Sequence, residues 1–257
     1  MPVKLPSGDM MMLVVDAGNS RLKWGMAPAR ADVAAGAWFQ LGVVENARLE
    51  GLAQQWAGLP RPERVLCANV AGEASVAAVT AALAPWRVKA IWLEAQARAA
   101  GVLNRYDVPA QLGPDRWASA IGAWHRKRSA CIVVNAGTAT TIDFVSESAE
   151  FLGGMILPGV ALMKESLHHG TAALGLQSGS IHLQSRRTSD AIETGCVVAQ
   201  LGAIDRARQG YVPGVPVLLS GGARSALAAA LAAPVEEVPH LALEGLYVLA
   251  CALEQPA

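Results

Sequence analysis

The chain has 257 residues, 53% of them hydrophobic and 16% charged, which is enough apolar material for one large core or two smaller ones and excludes a disordered polymer. Lysine plus arginine and aspartate plus glutamate number 21 each, so the charge balance favours neither a nucleic-acid partner nor an acidic tail and points to a small molecule. Cys67, Cys131, Cys196 and Cys251 lie far apart with no C-x-x-C pair, which reads as reduced thiols in the cytoplasm rather than a zinc site or disulfide framework.

Residues 1 to about 10 read as a loose leader without the apolar core and small-residue cleavage site of a signal peptide. No run reaches the roughly 18 apolar residues of a membrane helix, so no membrane partner is expected. The first strand, Leu13-Val14-Val15, ends in the polar turn Asp16-Ala17-Gly18-Asn19-Ser20, and Leu22-Lys23-Trp24 alternates as a return strand would. Lys23 is either a phosphate ligand or the polar face of an edge strand. Leu49, Leu52 and Trp56 predict a helix over residues 45–56. A strand at Val65 to Ala68 is followed by an alanine-rich helix from Glu73 to Leu83, stopped by Pro85, and a strand from Val88 to Leu93. Trp117, Ile121 and Trp124 share one face of a helix running from Arg116 to Lys127.

The second half opens with Ile132-Val133-Val134-Asn135-Ala136-Gly137-Thr138-Ala139, an echo of the first strand and turn with Asn135 where Asp16 stands, followed by Ile142-Asp143-Phe144. Farther on, Met163 and Lys164 fit helix packing and solvent exposure respectively. A Thr188-Ser189-Asp190 cap leads into a helix carrying Val197, Leu201 and Ile204, and Val217 to Ser220 delivers the chain to the turn Gly221-Gly222. Two hairpins heading two halves of alternating strands and helices predict an α/β fold of two similar domains, 1–116 and 117–257, with a cleft between them. Chance likeness of two valine-rich strands is the plain alternative.

Phosphate groups bind where backbone N–H groups converge and small residues let the backbone approach. Three turns qualify. The first offers Gly18, Asn19, Ser20 and Lys23, with Asp16 as a carboxylate for hydrated Mg²⁺; the second offers Asn135, Gly137, Thr138 and Thr140; the third offers Gly221 and Gly222. No P-loop, G-x-G-x-x-G, G-x-S-x-G or H-E-x-x-H motif is present, which removes the commonest rival nucleotide, hydrolase and zinc-protease readings. On residue type alone Asp115-Arg116 reads as a surface ion pair at a helix start. His168 and His169 are adjacent on a helix and point apart, so they do not suit one metal ion; His168 is a candidate for lining a substrate site.

The segments LVVDAGNSRLKWG, NRYDVPAQLGPDRW, VVNAGTATTIDF, FLGGMILPGVALMKESLHHGTAAL and TSDAIETG resemble, in order, the motifs of the type III pantothenate kinases, and the resemblance as a whole runs from residue 13 to about 225. That resemblance implies two tandem ribonuclease-H-like domains of the actin-like ATPase superfamily. It implies a homodimer with the substrate site near the subunit interface, ATP and Mg²⁺, a monovalent cation (K⁺ or NH₄⁺), and phosphorylation of pantothenate, the opening step of coenzyme A biosynthesis. It implies Asp115 as the base for the attacking hydroxyl, Tyr106, Gly113 and Arg116 near pantothenate, and Thr188 reaching the partner subunit's substrate. Asp16, Asn19, Lys23, Thr138 and Thr140 would face the ATP phosphates and metal. Many members of that family have aspartate where this chain has Asn135; the amide oxygen can still coordinate a metal but carries no charge, and Asp143 is the candidate to replace it. The rivals are a kinase acting on another small hydroxyl or carboxylate substrate, and a non-catalytic nucleotide-binding accessory factor.

Overall fold

The computed structural model describes residues 10–253, so all of the expected leader but Met10 lies outside the described residues. Two compact units emerge. Among the described residues, the first comprises 10–128, 149–151 and 241–253, and the second 129–148 and 152–240.

In the first unit β1 (Met11–Ala17) and β2 (Arg21–Pro28) form the predicted antiparallel hairpin, with Asp16 opposite Lys23, and β3 (Gln40–Glu45) pairs with the outer side of β2. Lys23 is therefore on an internal strand and not on an edge. Short helix α1 (Leu52–Trp56), strand β4 (Arg64–Asn69), helix α2 (Glu73–Leu83) and strand β5 (Ala90–Trp92) complete a sheet of order β3-β2-β1-β4-β5, with β4 parallel to β1. Alternation fixes the two faces. Leu13, Val15, Leu22 and Trp24 face α1 and α2, where Trp24 meets Trp56 edge-on at 6.1 Å and Trp56 stacks on Trp86 at 6.0 Å. Strands β6 (Arg98–Ala99) and β7 (Val102–Asn104) lead to α3 (Pro114–Lys127).

The second unit repeats the plan. β8 (Cys131–Ala136) and β9 (Ala139–Val145) form the second hairpin, β10 (Glu150–Pro158) lies beyond β9, and helices α4 (Val160–Gly170) and α5 (Thr188–Gln209) precede β11 (Val217–Ser220), α6 (Arg224–Ala228) and β12 (Val235–Glu237). The order β10-β9-β8-β11-β12 reproduces that of the first sheet, strand for strand and with β11 parallel to β8. Ile132, Val134, Ile142, Val217 and Leu219 pack against Val197 and Ile204 of α5. Glu150 and Phe151, which open β10, pair with β7 and belong to the first unit.

The chain then returns to the first unit as α7 (Leu241–Ala252), which crosses α3 and covers β1 and β4. The crossing is close enough that a Cβ on Gly245 would sit 1.7 Å from the Ala118 carbonyl oxygen. This division differs from a cut at residues 116 and 117: α3 stays whole with the first unit, and the last helix rejoins it.

Other differences have local causes. Residues 45–56 are not one helix, because Asn46 to Gly51 form a 3₁₀ segment in which Arg48 leaves the helical region, and only α1 is α-helical. The strand expected from Val88 to Leu93 shortens to β5 after Arg87 takes a left-handed conformation at φ 55°. Thr188 and Asp190 lie inside the first turn of α5, after Arg187 as N-cap, and Asp190 accepts a hydrogen bond from the Ser180 N–H instead of capping. Lys164 is not solvated; it is largely buried and paired with Glu193. Cys67, Cys131 and Cys196 are buried thiols, while Cys251 is exposed. Among the described residues no helix is long and apolar enough to cross a membrane.

Candidate active site

The β1–β2 turn begins where Asp16 and Lys23 face each other on the sheet face opposite the tryptophan core. Burial pushes the Asp16 carboxyl up to about 6; Lys23 pulls it down and the negative charge of Asp115 pushes it further up. Asp16 and Asp115 are thus electrostatic neighbours although 99 residues separate them in sequence. Beyond Asp16, the Gly18 N–H closes on the Arg21 carbonyl at 3.1 Å, and Gly18, Asn19 and Ser20 are exposed or half-buried.

Asp115 sits in the first turn of α3, one residue after Pro114 and two after the N-cap Gly113. Its Oδ1 folds back to 2.7 Å from where a Cβ on residue 113 would lie, so glycine there makes room for the carboxylate. Burial raises its pKa, while the backbone N–H groups of Arg116 and Asp115 itself and the Arg116 charge oppose the rise. The adjacent side chain goes elsewhere. Arg116 is 5% exposed, its guanidinium carbon lies 5.7 Å from the ring centroids of both Tyr106 and Phe151, and its Nη1 donates to the Tyr106 hydroxyl at 2.8 Å. A surface ion pair is thereby excluded: Asp115 and Arg116 diverge at the helix start into different surroundings.

In the second unit, Asn135 opposes Thr141 across the hairpin, and Asp143, fully buried, stands two residues along the same face. Gly137 and Thr138 form the turn and are exposed, whereas Thr140 is buried. Two other segments press on this turn. The Gly159 N–H donates to the Thr138 carbonyl at 2.9 Å, and a Cβ on Gly159 would come within 2.2 Å of the Gly137 oxygen. Gly221, at φ +94°, brings the third turn so close that a Cβ there would meet the Ala136 oxygen at 2.3 Å, and the Ala223 N–H donates to that same oxygen at 3.0 Å. The second and third turns are therefore one assembly, with Gly222 exposed beside them.

Thr188 lines a mainly apolar cavity of about 540 Å³ between α4 and α5, together with Met163, Leu167, Leu174, Ile192 and Cys196. His168 is not in that lining. Its Nδ1–H donates to the Leu174 carbonyl at 2.8 Å, which ties it to its own loop. Among the described residues no three His, Cys, Asp or Glu side chains cluster as a metal site.

Three participants escaped the sequence reading. Phe151 forms the second wall around Arg116, Gly159 props the second turn, and Asn46 bonds to the first. Phe151 and Gly159 both lie in the FLGGMILPG segment that carries the resemblance, without a role assigned to either there; Asn46 is brought in by strand register, which no local motif encodes.

Duplicated sheets of this order, each with a glycine turn between its first two strands, define the actin-like ATPase and sugar-kinase class of folds. In agreement, the structure matches a Baf family protein from Campylobacter jejuni with a TM-score of 0.60 at 22% identity, over 91% of this chain and 94% of that one. It also matches the ethanolamine utilization protein EutJ from Carboxydothermus hydrogenoformans with a TM-score of 0.55 at 14% identity, over 98% and 92%. In sequence, the profile of the type III pantothenate kinases matches residues 12–209. A type III pantothenate kinase from Aromatoleum aromaticum is 45% identical over 242 residues, 93% of this chain and 98% of that relative. The chain belongs to the type III pantothenate kinase family.

Proposed function

We propose that this chain transfers the γ-phosphoryl group of ATP to the primary hydroxyl of pantothenate, giving 4'-phosphopantothenate at the start of coenzyme A biosynthesis, in the cytoplasm. The carrying observation is the divergence at the start of α3, which sets a desolvated carboxylate beside a cation held between two aromatic rings, in a chain of this family. The substrate needs both: an acceptor for its hydroxyl proton and a cation for its carboxylate.

Asp115 takes the hydroxyl proton as the alcohol oxygen bonds to the γ-phosphorus and ADP leaves. Its raised pKa brings it nearer the working pH, where a general base is most effective. Arg116, with Tyr106 fixing its planar fork, binds the pantothenate carboxylate, and Gly113 keeps the carboxylate of Asp115 unobstructed. Each unit supplies phosphate-binding turns: Asp16, Gly18, Asn19, Ser20 and Lys23 in the first, and Gly137, Thr138, Thr140, Gly221 and Gly222 in the second.

Mg²⁺ fits the first unit, because Asp16 and Asp115 are carboxylates whose mutual repulsion leaves negative charge to be neutralised, and Mg²⁺ is usually held by one or two carboxylates plus phosphate. When bound, it would neutralise charge on the transferring phosphates. K⁺ or NH₄⁺ fits beside Asn135, where the amide oxygen is a neutral ligand and Asp143 on the same face supplies charge. The functional unit is a homodimer in which Thr188 reaches the partner's substrate. His168, bonded to Leu174, lines that region only if its loop moves.

The test is incubation of purified protein with ATP, Mg²⁺, K⁺ and pantothenate, with mass analysis of the products. A species heavier by one phosphoryl group is expected, with none from glycerol, acetate or hexoses. Unmodified pantothenate would remove the reading.

A further inference from the structure

The first phosphate turn is not held by its own sequence. The β2–β3 register sets Arg21 opposite Glu45, so the residue after Glu45 emerges beside the residue before Arg21. That residue is Asn46. Its side-chain Nδ2 donates to the carbonyls of Gly18 at 2.9 Å and Asn19 at 2.8 Å, and its backbone N–H donates to the carbonyl of Ser20 at 3.1 Å. Three successive carbonyls of the turn are captured by one residue.

A planar trans peptide points its N–H opposite to its C=O. These bonds are trans, so turning the carbonyls of Gly18, Asn19 and Ser20 toward Asn46 turns the N–H groups of Asn19, Ser20 and Arg21 to the other side. Successive N–H groups presented on one side are the elements of an anion-binding turn. The amide cannot serve in the reverse sense, since its oxygen would then meet two carbonyl oxygens. Its Oδ1 is buried without a hydrogen-bond partner, so nothing competes for the orientation.

We infer that Asn46 is a positioning residue for the phosphoryl donor: it orients the turn's N–H groups toward the ATP phosphates without touching them. The inference rests on the assignment of this turn to ATP. It places a determinant of nucleotide affinity outside the Asp16 to Lys23 motif and leaves the alcohol substrate unaffected.

The experiment compares wild type with Asn46→Ala, Asn46→Asp and a control, Gln55→Ala. The control removes neighbouring hydrogen bonds to Trp24 and Val43 in the same unit. KM for ATP, KM for pantothenate and thermal midpoints are measured for each, with nucleotide affinity by calorimetry. Asn46→Ala is expected to raise KM and Kd for ATP about 10- to 100-fold, the size of one or two lost charge-assisted hydrogen bonds, and to leave KM for pantothenate within about twofold. Asn46→Asp, which sets a carboxylate against two carbonyls, weakens ATP at least as much. Gln55→Ala lowers the thermal midpoint to a similar degree without the ATP effect. Unchanged ATP affinity in Asn46→Ala, or equal losses for both substrates tracking the thermal midpoint, would overturn the inference while leaving the turn's assignment in place. A wild-type protein that binds no ATP would overturn the assignment and the inference together.

Discussion

The two hairpin turns occupy the same place in the same strand order, yet they are built on opposite principles. In the first unit the turn is clamped by a side chain, Asn46, and faces a charged pair, Asp16 and Lys23. In the second the turn is clamped by backbone contact through Gly159 and Gly221 and faces a neutral pair, Asn135 and Thr141. A duplicated scaffold thus preserves where N–H groups are offered while leaving each copy free to set its own charge. Asp115 and Arg116, the proposed base and the proposed ligand of the substrate carboxylate, belong to the unit with the charged turn.

The sharpest way to break this comparison is to neutralise the proposed base. Asp115→Asn keeps the helix start but removes proton acceptance together with the charge that acts on Asp16, so kcat should fall about 10²- to 10⁴-fold, with a smaller effect on ATP affinity. Single-turnover rates and nucleotide titration check it. A variant retaining a third of the wild-type kcat would show that Asp115 is structural and that the asymmetry between units is not catalytic.

The clamps predict the next largest effect. Gly221→Ala places a methyl 2.3 Å from the Ala136 oxygen at a positive φ, and should cost roughly 2 to 4 kcal/mol in unfolding free energy, with weakened ATP binding. Gly18→Ala, whose Cβ would lie 3.3 Å from the Arg21 oxygen, should cost under about 1 kcal/mol. Denaturant titration of both variants decides whether the second turn alone depends on close backbone approach.

That contrast also marks how far the sequence could be read. The two hairpins, their polar turns and the helix carrying Trp117 and Ile121 were legible because strand alternation and helical spacing are local patterns. The duplication was expected from the repeated hairpin, and its strand-for-strand extent comes from strand order, which depends on long-range pairing. Asp16, Asp115 and Arg116 could be named from motifs, yet on residue type alone Asp115 and Arg116 looked like a surface pair. Their divergence rests on Phe151 and Tyr106, brought together by pairing of β10 with β7. Residues 45–56 misled for a related reason: the spacing of Leu49, Leu52 and Trp56 is helical, but Asn46 is committed to the neighbouring turn and the segment starts as a 3₁₀ helix.

Charge gives a third test, with a defined sign. Asp16 titrates near 6 in the folded protein against an ordinary 3.8, so the folded state binds that proton more tightly than the unfolded chain does. Ionising it therefore costs folding free energy, a cost that grows between about pH 4 and pH 6 and is constant above. Asp16→Asn removes the cost, and should be more stable than wild type by on the order of 3 kcal/mol near pH 7.5 and equal to it below about pH 4. Mg²⁺ with ATP should narrow the gap by stabilising wild type alone. On the proposed assignment the same ionisation governs function: wild-type kcat/KM for ATP should decline as pH falls through about 6, since a protonated Asp16 would no longer attract Mg²⁺. A flat profile there, with no stability gain in Asp16→Asn, would mean the first turn is not a site of stored charge.

The smallest effect makes the second turn resemble the first. In Asn135→Asp the new carboxylate stands diagonally across the ladder from buried Asp143, a spacing of about 7 Å in antiparallel sheets. Like charges at that distance repel by about 1 to 2 kcal/mol in a partly desolvated setting. The repulsion raises the new group's folded pKa, so the destabilisation is present near pH 8 and disappears as pH falls through that pKa. It should be relieved by KCl more than by choline chloride at equal ionic strength, because a bound K⁺ neutralises the pair whereas screening treats both salts alike. Thermal midpoints at the two pH values and in the two salts read this out. If Asn135→Asp is as stable as wild type at pH 8, charge can be added to the second turn at no cost, and its neutrality reflects something other than the company of Asp143.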